Sequence, residues 1–302
     1  ISNFLNISIK YIVLFFQIGI YSIYYLVFFF LFLRIKINFF WLIIIFSPIL
    51  FLYPLAELEA LGRKDIFVIT IFLFFSIINY KSLNSLIYSF IFLFGISCLI
   101  HEITVFYIFH YLLVIYLKNK FYIKEAISNK YYIIIFIFIS LLLYLNLYLH
   151  NFVKIEDIVN SYNYEDFTEY SGSFSHISPS IKSVFLKTFF SIDVIAIMRY
   201  GFLILINTLP FIFFIKIKKK YESKYLNSLN IFLFVTLLSL PLYFLIFDWG
   251  RVIYINFNFF VIIIMCIFNL NLIKEDYLKK KIKLLNKNLK IFIFIIICLS
   301  FS

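Results

Sequence analysis

Glycine and proline are scarce in this chain, at six and five residues of 302, and cysteine is scarcer still at three. With so few glycines, the Gly-interrupted helices that build a transporter's midplane site in two matching halves have no counterpart. Cys98, Cys266 and Cys298 each stand alone within an apolar run, which suggests neither a disulfide nor a zinc site. Charged residues make up only 14% of the chain, against about 25% in an ordinary soluble domain. Almost none falls near the middle of an apolar run, where an ion or proton pathway would need it. No internal repeat is found, and nothing in the sequence calls for a metal or a cofactor.

What is present is apolar. Hydrophobic residues account for 64% of the chain and aromatics for 23%, with a mean hydropathy of +1.03, and no water-facing surface can be made from that. Apolar runs lie near 11–33, 39–55, 66–80, 84–100, 103–117, 131–149, 200–215, 229–247, 252–268 and 291–302. Most approach the roughly 20 residues that span a hydrocarbon core. The expectation is an all-α, polytopic helical membrane protein with about ten transmembrane helices. It divides into an N-terminal helical part at 1–149, an external loop with an interfacial helix at 150–199, and a C-terminal helical part at 200–302. Both ends are expected to be incomplete, since Ile1 is not an initiator residue and the last run stops at Ser302.

Charge orients the runs. Arg34, Lys36, Lys81, the Lys118 to Lys130 cluster, Lys216 to Lys224 and the Lys274 to Lys290 stretch occupy alternate connections, which the positive-inside rule makes cytoplasmic. Those connections hold 19 basic residues against four acidic ones, and the opposite set holds eight against 11. The split is +15 inside and −3 outside, so the chain's +12 reflects topology and anionic lipid at the inner leaflet, and implies no nucleic acid. The stretch from 82 to 117 is broken only by His101 and Glu102. Merging it into one helix would put the Lys118 cluster outside and reverse every later loop, so two spans are expected there.

The chemically useful residues gather on the external side. The first loop carries Glu57, Glu59, Arg63, Lys64 and Asp65 within ten residues. Arg63 and Lys64 suit phosphate oxygens, one as a bidentate fork and one as a point charge, and either glutamate could serve as a base on a hydroxyl. The plainer reading is a solvated loop in which Asp65 caps the next helix. His101 and Glu102 form the second external turn, as a base or phosphate ligand or simply as caps of two helices. His110 reads as a hydrogen-bonded packing residue and His150 as an interfacial one. In the long loop, the carboxylates, the Tyr rings and His176 suit carbohydrate, or any extracellular loop. An amphipathic stretch ends it at Arg199. Asp248-Trp249-Gly250-Arg251 is the sharpest local signal, in which Asp248 either pairs with Arg251 or orients it toward an anionic lipid head group.

This arrangement resembles the bacterial polysaccharide polymerases of the Wzy and EpsG types, and more loosely the GT-C membrane glycosyltransferases. The resemblance lies in the many helices, the cationic inner side, the long external loop in the second half, and Arg63-Lys64 followed after one hairpin by His101. It implies an enzyme of the bacterial inner membrane that joins undecaprenyl-pyrophosphate-linked oligosaccharide repeat units at the outer face, with a flippase or a chain-length regulator as partners. By that resemblance Glu57, Glu59, His101 and Glu102 are the catalytic candidates. Arg63, Lys64, Asp65, His176, Arg199, Asp248 and Arg251 are the substrate-binding ones. A precursor flippase or exporter and a non-catalytic multi-pass subunit are the alternatives.

Overall fold

The computed structural model describes residues 9–35, 64–119 and 249–272, with isolated positions at 138, 194, 195, 197, 198, 201 and 242. Five α-helices and one 3-10 segment make up the connected elements: α1 (Ile9–Ile35), α2 (Asp65–Ile77), α3 (Leu83–Ile100), the 3-10 turn Glu102–Tyr107, α4 (Ile108–Lys118) and α5 (Trp249–Asn269). Among the described residues there is no strand. Three stretches, Leu14–Arg34, Leu83–Ile100 and Gly250–Asn269, are long and apolar enough to cross a membrane. At 1.5 Å per residue the 21 residues of α5 extend about 31 Å, close to the hydrocarbon thickness. The 13 residues of α2 extend only about 20 Å, so the run expected to span at 66–80 is shorter as a helix than a crossing requires. The runs expected at 39–55, 131–149, 200–215, 229–247 and 291–302 lie outside the described residues apart from positions 138, 201 and 242, as does the external loop at 150–199 apart from 194, 195, 197 and 198.

Local signals set the ends. Ser82 is extended and its hydroxyl accepts from the Ser85 amide at 3.2 Å, an N-cap that starts α3. α5 ends where Asn271 takes a positive φ of 55° and the Leu272 amide reaches back to the Ile267 carbonyl at 3.2 Å, which satisfies a carbonyl that the helix leaves open. α3 stops at His101, whose backbone is extended. The Thr104 hydroxyl then bonds the Ser97 carbonyl and the Tyr111 hydroxyl meets Ser97 Oγ, both at 3.2 Å. The chain therefore folds back at His101, and the stretch from 83 to 118 is a helical hairpin rather than one long helix.

Two clusters fix how the helices run. Asp65, His101 and Arg251 bring together the start of α2, the end of α3 and the start of α5. At the far end the Lys118 ammonium donates to the carbonyls of Phe75 at 2.8 Å and Ile78 at 2.6 Å and sits 4.5 Å from the centre of the Tyr80 ring. Lys118 thus occupies the C-terminal carbonyls of α2, where a cation is favoured by the helix dipole. Helices α2 and α5 run one way and α3 the other. Between the clusters lies an aromatic hub, in which Phe72 stacks on Phe259 with centroids 4.1 Å apart and Tyr111 meets Phe72 edge-on at 4.8 Å. His110 packs edge-on against Tyr107 and Phe259 in this hub, and neither of its ring nitrogens meets a hydrogen-bond partner among the described residues, so it packs without the hydrogen bond expected of it.

α1 joins the bundle through polar atoms. The Tyr24 hydroxyl donates to Asn258 Oδ1 at 2.8 Å, and Asn258 Nδ2 donates to the Tyr254 carbonyl at 2.8 Å. Its other face is apolar and exposed, with Phe15 at 76% and Phe30 at 66%, and α3 likewise exposes Phe92 and Leu99. In water such faces would be an aggregation hazard, and in hydrocarbon they cost nothing. Leu14–Arg34, Leu83–Ile100 and Gly250–Asn269 therefore suit a bilayer on composition and length, and the outward faces of α1 and α3 suit it as well.

Candidate functional site

The first loop, the first hairpin turn and the start of α5 supply one residue each to a charged cluster. Asp65 is the first residue of α2, placed there because the apolar run begins immediately after it. Lys64 stands at the N-cap and makes no side-chain cap bond, and the Asp65 carboxylate turns across the bundle instead. Arg251 Nε donates to Asp65 Oδ2 at 2.6 Å and Arg251 Nη2 donates to Asp65 Oδ1 at 2.7 Å. This is a side-on bidentate fork, the geometry that favours Arg over Lys. Arg251 Nη2 also meets His101 Nε2, and His101 Nε2 lies 3.2 Å from Asp65 Oδ1.

Exposure ranks the three. The side chains of Asp65 and His101 are 4% and 6% exposed, whereas that of Arg251 is 21% exposed. Of the three, Arg251 has the most exposed side chain, and it lies against a buried carboxylate and imidazole. Burial by itself raises the Asp65 carboxyl. The hydrogen bonding of His101 and Arg251 and the adjacent Arg251 charge outweigh it and hold the group below the ordinary carboxylate range. An oriented, partly exposed cation over a fixed counter-charge is the kind of preorganised group that can meet an anion without rearranging.

Of the residues singled out in the sequence, Asp65, His101 and Arg251 converge. Lys64 is exposed beside them, and Glu102 opens the 3-10 turn. Glu57, Glu59, Arg63, His176, Arg199 and Asp248 lie outside the described residues. The plainer reading of Asp65 needs correction, since its side chain does not cap α2. The pairing of Asp248 with Arg251 falls outside the described residues, and within them Asp65, 186 residues away in the chain, accepts from the Arg251 guanidinium. Sequence reasoning misses the pairing of α1 with α5 through Tyr24 and Asn258. Its signal is the pair Asn256 and Asn258 inside an apolar run, since a polar side chain in a span commonly bonds across helices.

At the opposite end, a cavity of about 230 Å³ is lined by Lys81, Ser82, Lys118, Asn119 and Asn269 among others. It is thus remote from the Asp65 cluster and on the side that charge counting makes cytoplasmic.

Compared with known proteins, the chain matches no family model, no curated protein and no solved structure.

Proposed function

We propose that this chain is a membrane glycosyltransferase of the polymerase kind, joining undecaprenyl-pyrophosphate-linked oligosaccharides at the outer face of the inner membrane. The observation that carries the reading is the meeting of Asp65, His101 and Arg251, from three connections assigned to the outer side, with Arg251 held toward the surface. In such a reaction a sugar hydroxyl of one unit attacks the anomeric carbon of another. The bond from that carbon to the pyrophosphate oxygen breaks, and the hydroxyl proton passes to a base. The departing pyrophosphate gains negative charge, and a fixed guanidinium stabilises that charge most if it is oriented beforehand.

Arg251 fills this role, with Asp65 as its orienting carboxylate. His101 has its Nε2 engaged by Arg251, so the base role passes to Glu57 or Glu59 in this reading. The test is made in cells that carry Arg251→Lys or Arg251→Ala at normal protein level. Both variants are expected to accumulate single lipid-linked repeat units and to lose long polymer, because an ammonium cannot reproduce two parallel hydrogen bonds. Normal chain length in Arg251→Lys would remove the bidentate role. If deletion of the gene leaves polymer in place while precursor builds up on the inner leaflet, the transporter reading replaces this one.

A further inference from the structure

The cavity at the far end of the bundle has no part in glycosyl transfer at the Asp65 end, yet its walls carry charge of one sign. Its volume of about 230 Å³ falls below the roughly 300–1,000 Å³ of a pocket that encloses a whole small molecule, so it suits a head group. The walls come from the connection at 78–82, the first turn of α3 and the last residues of α4 and α5. Among the described residues that line it there are two ammonium groups, Lys81 and Lys118, and no carboxylate. Lys81 is exposed. Lys118 gives two of its three protons to the carbonyls of Phe75 and Ile78, which fixes its charge beside the cavity.

Helix ends act here in both directions. The positive end of α3 opens on the cavity through Ser82 and Leu83, whereas α2, α4 and α5 bring their negative ends. Each such end is equivalent to roughly half an elementary charge. That of α2 is already met by Lys118, and that of α5 is closed by the Leu270 amide on the Cys266 carbonyl and the Leu272 amide on the Ile267 carbonyl. Two whole ammonium charges therefore decide the sign, and the cavity favours an anion. Asn79 and Asn269 add amide donors, while Ile78, Leu83 and Leu270 leave part of the wall apolar. Asn269 is also the last residue of α5, whose length of about 31 Å matches the hydrocarbon core. The cavity thus lies at the level where acyl chains give way to head groups.

We propose that this cavity is a site for one anionic phospholipid, with its phosphodiester held by Lys81 and Lys118 and its glycerol against the apolar wall. A basic pocket between helix ends on the cytoplasmic side is a setting in which anionic head groups are bound, and charge counting assigns this end to that side. A lipid seated there ties the connection at 78–82 to the ends of α4 and α5, three parts of the chain that meet at no other lipid-level surface among the described residues.

The full chain in a neutral maltoside detergent is titrated with phosphatidylglycerol or phosphatidylcholine, and the first bound lipid is counted by native mass spectrometry. Wild type should bind phosphatidylglycerol on the order of tenfold more tightly than phosphatidylcholine. Lys81→Gln should weaken phosphatidylglycerol about fivefold, the effect of one lysine near an anionic head group. Asn79→Glu, which sets a carboxylate at an exposed point of the wall, should abolish the preference. Arg34→Gln removes an exposed cation that does not line the cavity and should bind as wild type does. Inorganic phosphate in large excess, at matched ionic strength, should leave the lipid in place. Equal binding of the two lipids by wild type overturns the site, and so does wild-type affinity in Lys81→Gln. Equal losses in Arg34→Gln and Lys81→Gln would assign the preference to the general charge of that side and remove the cavity from it. Displacement by inorganic phosphate would make the ligand a free anion and end the lipid assignment. If Asn79→Glu does not fold, the wild-type preference and Lys81→Gln decide. None of these outcomes touches the glycosyl-transfer reading, whose residues lie at the opposite end.

Discussion

Removing Arg251 should cost far more stability than removing Asp65, and removing both should cost less than removing Arg251 alone. Arg251→Ala leaves a carboxylate whose side chain is 4% exposed with His101 as its remaining partner. Breaking a buried pair in this way costs about 3–5 kcal/mol. Because Arg251 is 21% exposed, water can enter the space it leaves, and the low end, about 3 kcal/mol, applies. Asp65→Ala leaves a guanidinium that can turn to water and removes a carboxylate from the first turn of α2, for about 1.5 kcal/mol together. The double variant no longer buries an unpaired charge and should also lose about 1.5 kcal/mol, a coupling energy of about 3 kcal/mol. Reversible unfolding in mixed detergent and SDS micelles, read by helix signal, measures all four corners of the cycle. Losses that simply add, to within about 0.5 kcal/mol, would refute a formed ion pair.

Lys118→Met should release the Phe75 and Ile78 carbonyls, at a cost of about 1–2 kcal/mol, and hydrogen exchange should quicken at the C-terminal turn of α2 while the Asp65 end is unchanged. Gly95→Ala should destabilise, because its Cβ would stand 2.7 Å from the tip of the Phe138 ring, and Phe138→Leu should recover most of the loss; an additive pair would show that the two do not meet. Tyr24→Phe should cost about 1 kcal/mol by leaving Asn258 Oδ1 without its donor, whereas a neutral result in the same micelle titration would mean that the seam between α1 and α5 is not formed. Reporter fusions after Asn119 should read cytoplasmic and after Tyr162 external, and a cytoplasmic signal at Tyr162 would reverse the assignment of the two faces.

The class of the protein and its reversal at His101 were legible because both are written locally. Long apolar runs favour helices suited to a bilayer whatever their neighbours, and a His-Glu pair in the middle of a long apolar stretch is costly anywhere but at an end. The pairing of Arg251 with Asp65 was not legible. Proximity in sequence offers Asp248, which lies outside the described residues, whereas the contact with Asp65 exists only after α2 and α5 pack side by side. Asn258 was hidden for a related reason, since one amide barely lowers the hydropathy of a 21-residue helix but decides which neighbour that helix accepts. The length of α2 was overestimated because the run continues apolar to Ile78 and Tyr80 after the helix has ended, with Ile78 extended. Composition counts those residues without seeing that Lys118 has closed the helix beneath them.

The distance in sequence between Asp65 and Arg251 also has a consequence for biogenesis. The ribosome delivers Asp65 and His101 long before Arg251, so while the intervening chain is being made the carboxylate lacks the guanidinium that grips it in the finished fold. Until then α2 and α3 are expected to keep this end of the bundle open to water or to a chaperone, because closing over an unpaired carboxylate is expensive. α5 would thus act as the closing piece, and its arrival would convert a loosely held hairpin into a locked one. A nascent chain arrested before residue 249 should for that reason be cut by a membrane protease near Asp65, and a separately expressed segment carrying α5 should protect it.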